Sequence, residues 1–350
     1  MTPAHAHTVA TPKYTMPPEW EPHERTWMAW PPRGPSSADL DADGLGKVRA
    51  SWAAVANAIV DFEPVTMVVD PQDVEGARAL LTAPVEITTT RLDDAWMRDI
   101  GPTFVRDEHG SLAAVDWVFN GWGAQEWASW EHDREVARFV AHHSGTPVVP
   151  SDLVNEGGGI HVDGRGTVLA TRTVQLDPGR NPDLRAADVE AEFRRTLGAS
   201  RVVWLDRGLT RDYESFGTRG HVDIVAAFAG PDTILFHDQR NPEHPDFEVS
   251  AQVRALLSAA GDWKLVPVPA PEVLRDEDGW VDYSYLNQYV LNGAVILCAF
   301  DDPGDEVAAA ILAEVYPDRE IVLVDARTIF ARGGGIHCIT QQQPATTQTD

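Results

Sequence analysis

Cysteine is almost missing from this chain: Cys298 and Cys338 are the two thiols in 350 residues. Two cysteines build no disulfide framework, and a reduced, cytoplasmic protein is the expectation. Long apolar runs are missing too. None approaches the ~18 residues of a membrane span, so no membrane partner is expected. The opening MTPAHAHTVATPKYT lacks the basic and apolar regions of a secretory leader. It reads as a flexible tail over 1–15, and 346–350 reads as a second tail. Basic residues are also in deficit, with 28 Lys and Arg against 54 Asp and Glu and a net charge of −26. A phosphate backbone would be repelled, which excludes a nucleic-acid partner. A small cationic partner is compatible with this charge, although a solvated acidic surface accounts for most of it.

What is present suffices for a large core. Hydrophobic residues make up 43% of the chain, and residues 16–345 read as a single α/β domain. Strand-like runs include TWMAW (26–30), LAAVDWVF (112–119), TVLAT (167–171), TILFHD (233–238) and AVILCAF (294–300). Helical patterns lie at 45–62, 133–144, 184–197, 247–260 and 305–316. Several strands arrive in pairs around turn residues. Asn-Gly in YVLNGAVILC (289–298) is the strongest of these hairpin signals. Each pair is followed by a helix and then by a single strand. This rhythm occurs in four full units, at 103–150, 159–205, 222–269 and 287–326. A fifth unit, TWMAW with the helix at 45–62 and VTMVVD (65–70), lacks its first strand. IHCIT (336–340), from the other end of the chain, supplies one. Five ββαβ units closed into a ring predict a five-bladed, pseudo-symmetric α/β propeller around a central site.

Two near-copies place the chemistry. GGGIHV (157–162) and GGGIHC (333–338) differ only in their last letter. Each opens the first strand of a unit, and such positions converge on the axis of a ring. WMRDIGP (96–102), GHVD (220–223) and SYLNQY (284–289) open the other first strands. Asp99, Glu156, His221, Asp223 and Cys338 are therefore expected at one central site. A thiolate attacks an electrophilic carbon, and histidine moves protons near neutral pH. Carboxylates beside a thiol raise its pKa, an arrangement that suits a substrate that is itself a cation. Planar guanidinium fits best, because its donors pair bidentately with carboxylates. Asp99 also reads as an ion-pair partner of Arg98, and Glu156 as a brace for its loop. Trp96 and Trp122 read either as core or as an aromatic wall for an aliphatic cationic chain. The glycines, Gly335 among them, let backbone come close to whatever the axis binds. His161 and His337 read as structural, and Cys298 as an inert core residue. No HExxH or CxxC spacing supports a metal. Neither glycine run is a phosphate loop, since both lead into strands.

The same residues carry a resemblance. MPPEWEPHERTWMAWP, DDAWMRDIGPTFV, NGWG, NEGGGIHVDGRGT, GLTRDYESFGTRGHVDIVA, SYLNQYVLNGAV and GGGIHCITQQQP follow in order over residues 16–345. This set resembles the agmatine deiminase and bacterial-type peptidylarginine deiminase family of the guanidine-modifying superfamily. The resemblance implies a five-bladed α/β propeller. It implies that Cys338 is the nucleophile, His221 the general acid and base, and Asp99 and Asp223 the guanidinium clamp. Glu156 would orient the histidine and touch the substrate. The implied reaction converts agmatine and water to N-carbamoylputrescine and ammonia through a covalent thiouronium, a step toward putrescine. No metal or organic cofactor is implied, and family members are often homodimers. Other guanidino substrates, peptidylarginine and arginine among them, stay open, as does amidino transfer to an amine. Four positions depart from the family pattern. GGGIHC lacks the Asn of GGGNIHC, Gly159 replaces a Ser, Ile224 follows GHVD where a polar residue is common, and Ala124-Gln125 follows NGWG where Gly-Lys is common. These bear on the far end of the substrate and leave nucleophile and clamp intact.

Overall fold

The computed structural model describes residues 13–346 apart from 83, 215, 273–274 and 277–278. Five sheets repeat one pattern: a first strand antiparallel to a second, and a third parallel to the second. Blade one joins Thr340–Pro344, His23–Ala29 and Val65–Val69. Blade two joins Thr103–Asp107, Leu112–Val118 and Val148–Val154. Blade three joins Ile160–Val162, Thr167–Thr171 and Arg201–Leu205. Blade four joins Ala226–Gly230, Thr233–Asp238 and Lys264–Pro269. Blade five joins Tyr289–Leu291, Ala294–Ala299 and Glu320–Asp325. The parallel step in each blade needs a crossover, and a helix supplies it. These helices are Ala42–Ile59, Val136–His143, Ala186–Leu197, Phe247–Ala260 and Gly304–Val315. First strands of adjacent blades lie side by side, blade three against four and blade one against two. The expected propeller is the observed one.

Helix periodicity explains the packing. In Ala186–Leu197 the buried positions Val189, Phe193 and Leu197 recur every four residues and face the core of blades two and three. In Phe247–Ala260, Val249, Val253 and Leu257 do the same against blade four. Each such side chain contributes about 1.5–3 kcal/mol by leaving water.

Four details differ from the sequence reading. The closing strand is TQQQP, not IHCIT. Residues 336–340 form a tight turn first, in which Ile339 N–H donates to Ile336 O and Thr340 N–H to His337 O. The turn lets Ile336 and Ile339 both reach the core, where each is fully buried. Likewise Asp99, Glu156 and Asp223 do not sit in first strands. Asp99 and Asp223 lie in the short helical turns Met97–Ile100 and Val222–Ile224, and Glu156 immediately precedes the turn Gly157–Gly159. Blade one gains a helix, Val74–Leu80, and a fourth strand, Glu86–Thr89, that the periodicity did not reveal. Finally, Tyr14–Thr15 pairs with Thr103–Asp107, so strand begins inside the stretch read as a tail. Residues 1–12 and 347–350, the rest of both expected tails, lie outside the described residues.

Candidate active site

The helical turns at the blade entrances bring five chain segments to the axis. Cys338 follows the GGG of blade one and is buried. Its Sγ lies 3.6 Å from Asp223 Oδ2, and it accepts an N–H from Asn287 Nδ2 at 3.2 Å. Burial, followed by the charges of Asp223 and Asp99, pushes the Cys338 thiol well above its ordinary pKa. The thiol is therefore protonated until a cation arrives.

Two carboxylates face the same space. Asp99 Oδ1 accepts the Gly158 N–H at 3.0 Å and Oδ2 accepts the Trp122 indole N–H at 2.9 Å. Asp223 Oδ2 is held by His337 Nδ1 at 2.8 Å. Its other oxygen, Oδ1, is buried and has no hydrogen-bond partner. His221 Nδ1 is in the same condition, 3.9 Å from Asp99 Oδ1. Buried polar atoms left unpaired cost about 1–3 kcal/mol each, so these mark where a polar ligand belongs.

His221 is charged. Burial alone would lower its pKa, but Asp99, Glu156 and Asp223 push it up to about 9. Its Nε2 sits 3.2 Å from Glu156 Oε2. Glu156 is fully buried and stays ionised: burial would raise it, yet Arg180 and His221 hold it at about 2. Arg180 Nε donates to both Glu156 oxygens at 3.0 Å.

The glycines earn their place by contact. A Cβ on Gly158 would lie 2.5 Å from His221 Nδ1, and one on Gly334 would lie 3.0 Å from Cys338 Sγ and 2.8 Å from Trp96. Both runs let backbone pass directly over reactive atoms.

Comparison with known proteins agrees with this geometry. The model of the Porphyromonas-type peptidyl-arginine deiminases matches residues 15–344. The chain belongs to that family. A Streptomyces coelicolor relative is 59% identical over 339 residues, covering 95% of this chain and 99% of that protein. The agmatine deiminase of Stutzerimonas stutzeri is 39% identical, with 95% and 96% covered. The solved agmatine deiminase of Enterococcus faecalis superposes with a TM-score of 0.88 at 31% identity, covering 96% of this chain and 97% of that one.

Within this family frame, all five sequence-derived candidates converge. His221, Asp223 and Cys338 line one small cavity, and Asp99 and Glu156 each lie within 4 Å of His221. The substrate-contact candidates divide. Trp122 spends its indole N–H on Asp99 and stacks on Trp127. Trp96 lines a neighbouring apolar cavity with Trp52 and Trp127. Gly335 packs on Asn287 and Phe330, whereas Gly333 and Gly334 border the cavity.

Three participants escaped the sequence reading. Asn287 is the axial residue of blade five, and the first-strand alignment that located SYLNQY already pointed at it. Arg180 lies in a loop 24 positions along the chain from the Glu156 it contacts. Glu19 precedes the first blade altogether and reaches His337 Nε2 at 2.8 Å. Glu19, His161 and His337 each bring one potential metal ligand within 4.8 Å of the others. Their hydrogen bonds oppose that reading. His161 Nδ1 accepts the Phe228 backbone N–H, which leaves the neutral ring's proton on Nε2. Both His337 nitrogens already face carboxylates.

The family departures are dispersed, and Gly159 packs against Val174, Gln175 and Asn155. Ile224 lines the cavity. Gln125 Nε2–H donates to Gly217 O at 2.6 Å and tethers the 211–220 loop.

Proposed function

We propose that this protein is a guanidine deiminase whose substrate is agmatine. The observation that carries the reading is the pair of unpartnered buried atoms, Asp223 Oδ1 and His221 Nδ1, on residues that line one cavity with Cys338. A guanidinium offers N–H groups to the first and a leaving nitrogen to the second. Its charge offsets Asp99 and Asp223, lowers the thiol pKa, and permits the thiolate to form by loss of the thiol proton to solvent.

The Cys338 thiolate then adds to the central guanidino carbon. The bond to one terminal nitrogen breaks as His221 gives it a proton, and ammonia leaves. The remaining thiouronium is attacked by a water that loses its proton to His221. The carbon–sulfur bond breaks as the adduct's hydroxyl proton passes to sulfur, the thiol is regenerated and a neutral ureido product departs. Glu156, braced by Arg180, orients His221 through both half-reactions.

The mouth favours a second positive charge. A cavity of about 560 Å³ adjoins the inner one and shares Asp212, Asp282, Phe330 and Gly333 with it. Glu214 adds a third acid, and Arg211 is the one base of the lining, so acids outnumber bases three to one. A distal ammonium is welcome there, and the carboxylate of arginine is not. Relatives named agmatine deiminase support the same choice. Among the described residues no helix is long and apolar enough to cross a membrane. Both cysteines are free thiols, which supports a reduced cytoplasmic setting, and family membership makes a homodimer the expectation.

Ammonia release is the test, measured over agmatine, arginine, peptidyl-arginine and guanidinobutyrate. Agmatine should be preferred, and Cys338→Ser should fall to background. Equal neglect of all four, or activity retained without the thiol, would overturn the reading.

A further inference from the structure

The sequence reading left His337 as a structural histidine, yet its contacts are not those of a spacer. The imidazole lies between two buried carboxylates, with Nδ1 2.8 Å from Asp223 Oδ2 and Nε2 2.8 Å from Glu19 Oε2. Both nitrogens must donate, so the ring is an imidazolium. Its own backbone oxygen accepts from Arg98 Nε at 3.2 Å, and Arg98 Nη2 lies 3.7 Å from Glu19. The ring is thereby fixed at both ends and along its backbone.

The consequence falls on Asp223. One of its oxygens, Oδ2, is occupied by His337 and lies 3.6 Å from the thiol, and the other, Oδ1, is buried without a hydrogen-bond partner. We propose that Glu19 and His337 are positioning residues for guanidinium recognition: they lock the Asp223 carboxylate through Oδ2, so that Oδ1 is left to accept from the substrate. The assignment rests on the deiminase reading, because it concerns how that site grips its guanidinium. It also explains why the histidine beside the nucleophile does not carry the proton work: with both nitrogens engaged by carboxylates, it has none free to turn toward a leaving group. Other groups facing His337 are consistent. His161 lies 6.3 Å away, ring to ring, and burial lowers its pKa to about 4, so it adds no competing charge. Burial and Arg98 oppose the imidazolium, and Glu19 and Asp223 outweigh them.

Two amide substitutions separate positioning from packing. In His337→Asn the amide nitrogen can take the place of Nδ1 and still reach Asp223. In His337→Gln the longer amide reaches toward Glu19 and leaves Asp223 without its donor. Three quantities are read in both variants: melting temperature, steady-state constants for agmatine, and protection of Cys338 from iodoacetamide by guanidinium ion. Protection needs only a guanidinium head, so it reports on the clamp whether or not agmatine is turned over. Failure of wild-type turnover would count against the substrate reading and leave this test standing.

The expected result is a KM for agmatine raised about tenfold or more in His337→Gln, with weaker protection in proportion. His337→Asn should stay within about threefold of wild type. Loss of the imidazolium also lets the Asp223 carboxyl pKa rise, so kcat/KM of His337→Gln should fall away at higher pH than wild type as the solution is acidified. Equal losses in two folded variants, or unchanged KM and protection in His337→Gln, would overturn the proposal. If His337→Gln does not fold, Glu19→Gln is read instead. It keeps the Nδ1 donor to Asp223 but removes its counter-charge, and is expected to raise KM less than His337→Asp, which sets a second carboxylate against Asp223. The reverse order would count against it.

Discussion

Asn287 and Cys338, 51 positions apart in the chain, hold each other by three contacts. The amide Nδ2–H donates to the sulfur at 3.2 Å, the amide oxygen accepts the Cys338 backbone N–H at 3.3 Å, and that oxygen lies 3.4 Å from the sulfur. A donor to sulfur favours thiolate over thiol. Asn287→Ala should therefore lower kcat/KM about 10–100-fold, the range for a lost hydrogen bond to a charged group. Alkylation of Cys338 by iodoacetamide, followed against pH, should need more alkaline solution than wild type. An unchanged profile would mean that Asn287 merely packs.

The charge state of His221 sets the alkaline side of activity. It gives up its proton from the charged form, so its contribution is full below its pKa of about 9 and is lost as pH rises through that value. Glu156→Gln removes one of the carboxylates that raise it. The descending limb of kcat should move about one unit lower in pH. Stability should also drop, by about 3 kcal/mol, because Arg180 loses its bidentate partner inside the protein. A pH series of initial rates and a thermal melt check both parts.

Asp282 tests the preference for a second cation. It lines both the inner cavity and the mouth. Burial, then Asp212 and Asp246, pushes its carboxyl up to about 7. Asp282→Asn should raise the KM for agmatine about three- to tenfold, the loss of a partly screened charge contact. Arginine should be affected less, so the agmatine-to-arginine ratio of kcat/KM should fall. A ratio that does not move assigns the preference to other residues.

The ring itself can be opened. Thr340–Pro344 is hydrogen-bonded along His23–Ala29, Gln343 accepts the Trp27 indole N–H at 2.9 Å, and Gln342 accepts from Arg98 at 2.7 Å. A chain ended after Ile339 keeps the Cys338 thiol but leaves the first blade without its inner strand. It should fail to show a cooperative melt, and ammonia release should be absent. Supplying the missing segment as a peptide should restore neither fully, since association forfeits the effective concentration of a covalent link.

Much of the architecture was legible because repetition is a local signal. Hairpin turns such as Asn292-Gly293, helix periodicity and the missing first strand were enough to count five units and to close them. Repetition also selected the site, since equivalent entrances of a ring must meet. The exceptions have physical causes. Three of the entrances are helical turns rather than strands, because short turns at a crowded axis can aim Asp99, Glu156 and Asp223 inward where an extended strand would alternate faces. Their few residues leave no periodicity to read.

The sequence by itself determined the fold class, the unit count, and the kinds of side chain that gather at the axis, because these follow from patterns within some forty consecutive residues. Tertiary structure alone decided the partners: Glu19 with His337, Arg180 with Glu156, and Asn287 with Cys338. Their separations of 318, 24 and 51 positions follow no chain period. They are set by which buried charge or donor happens to face another once the blades have closed, and burial is what makes each of those pairings necessary.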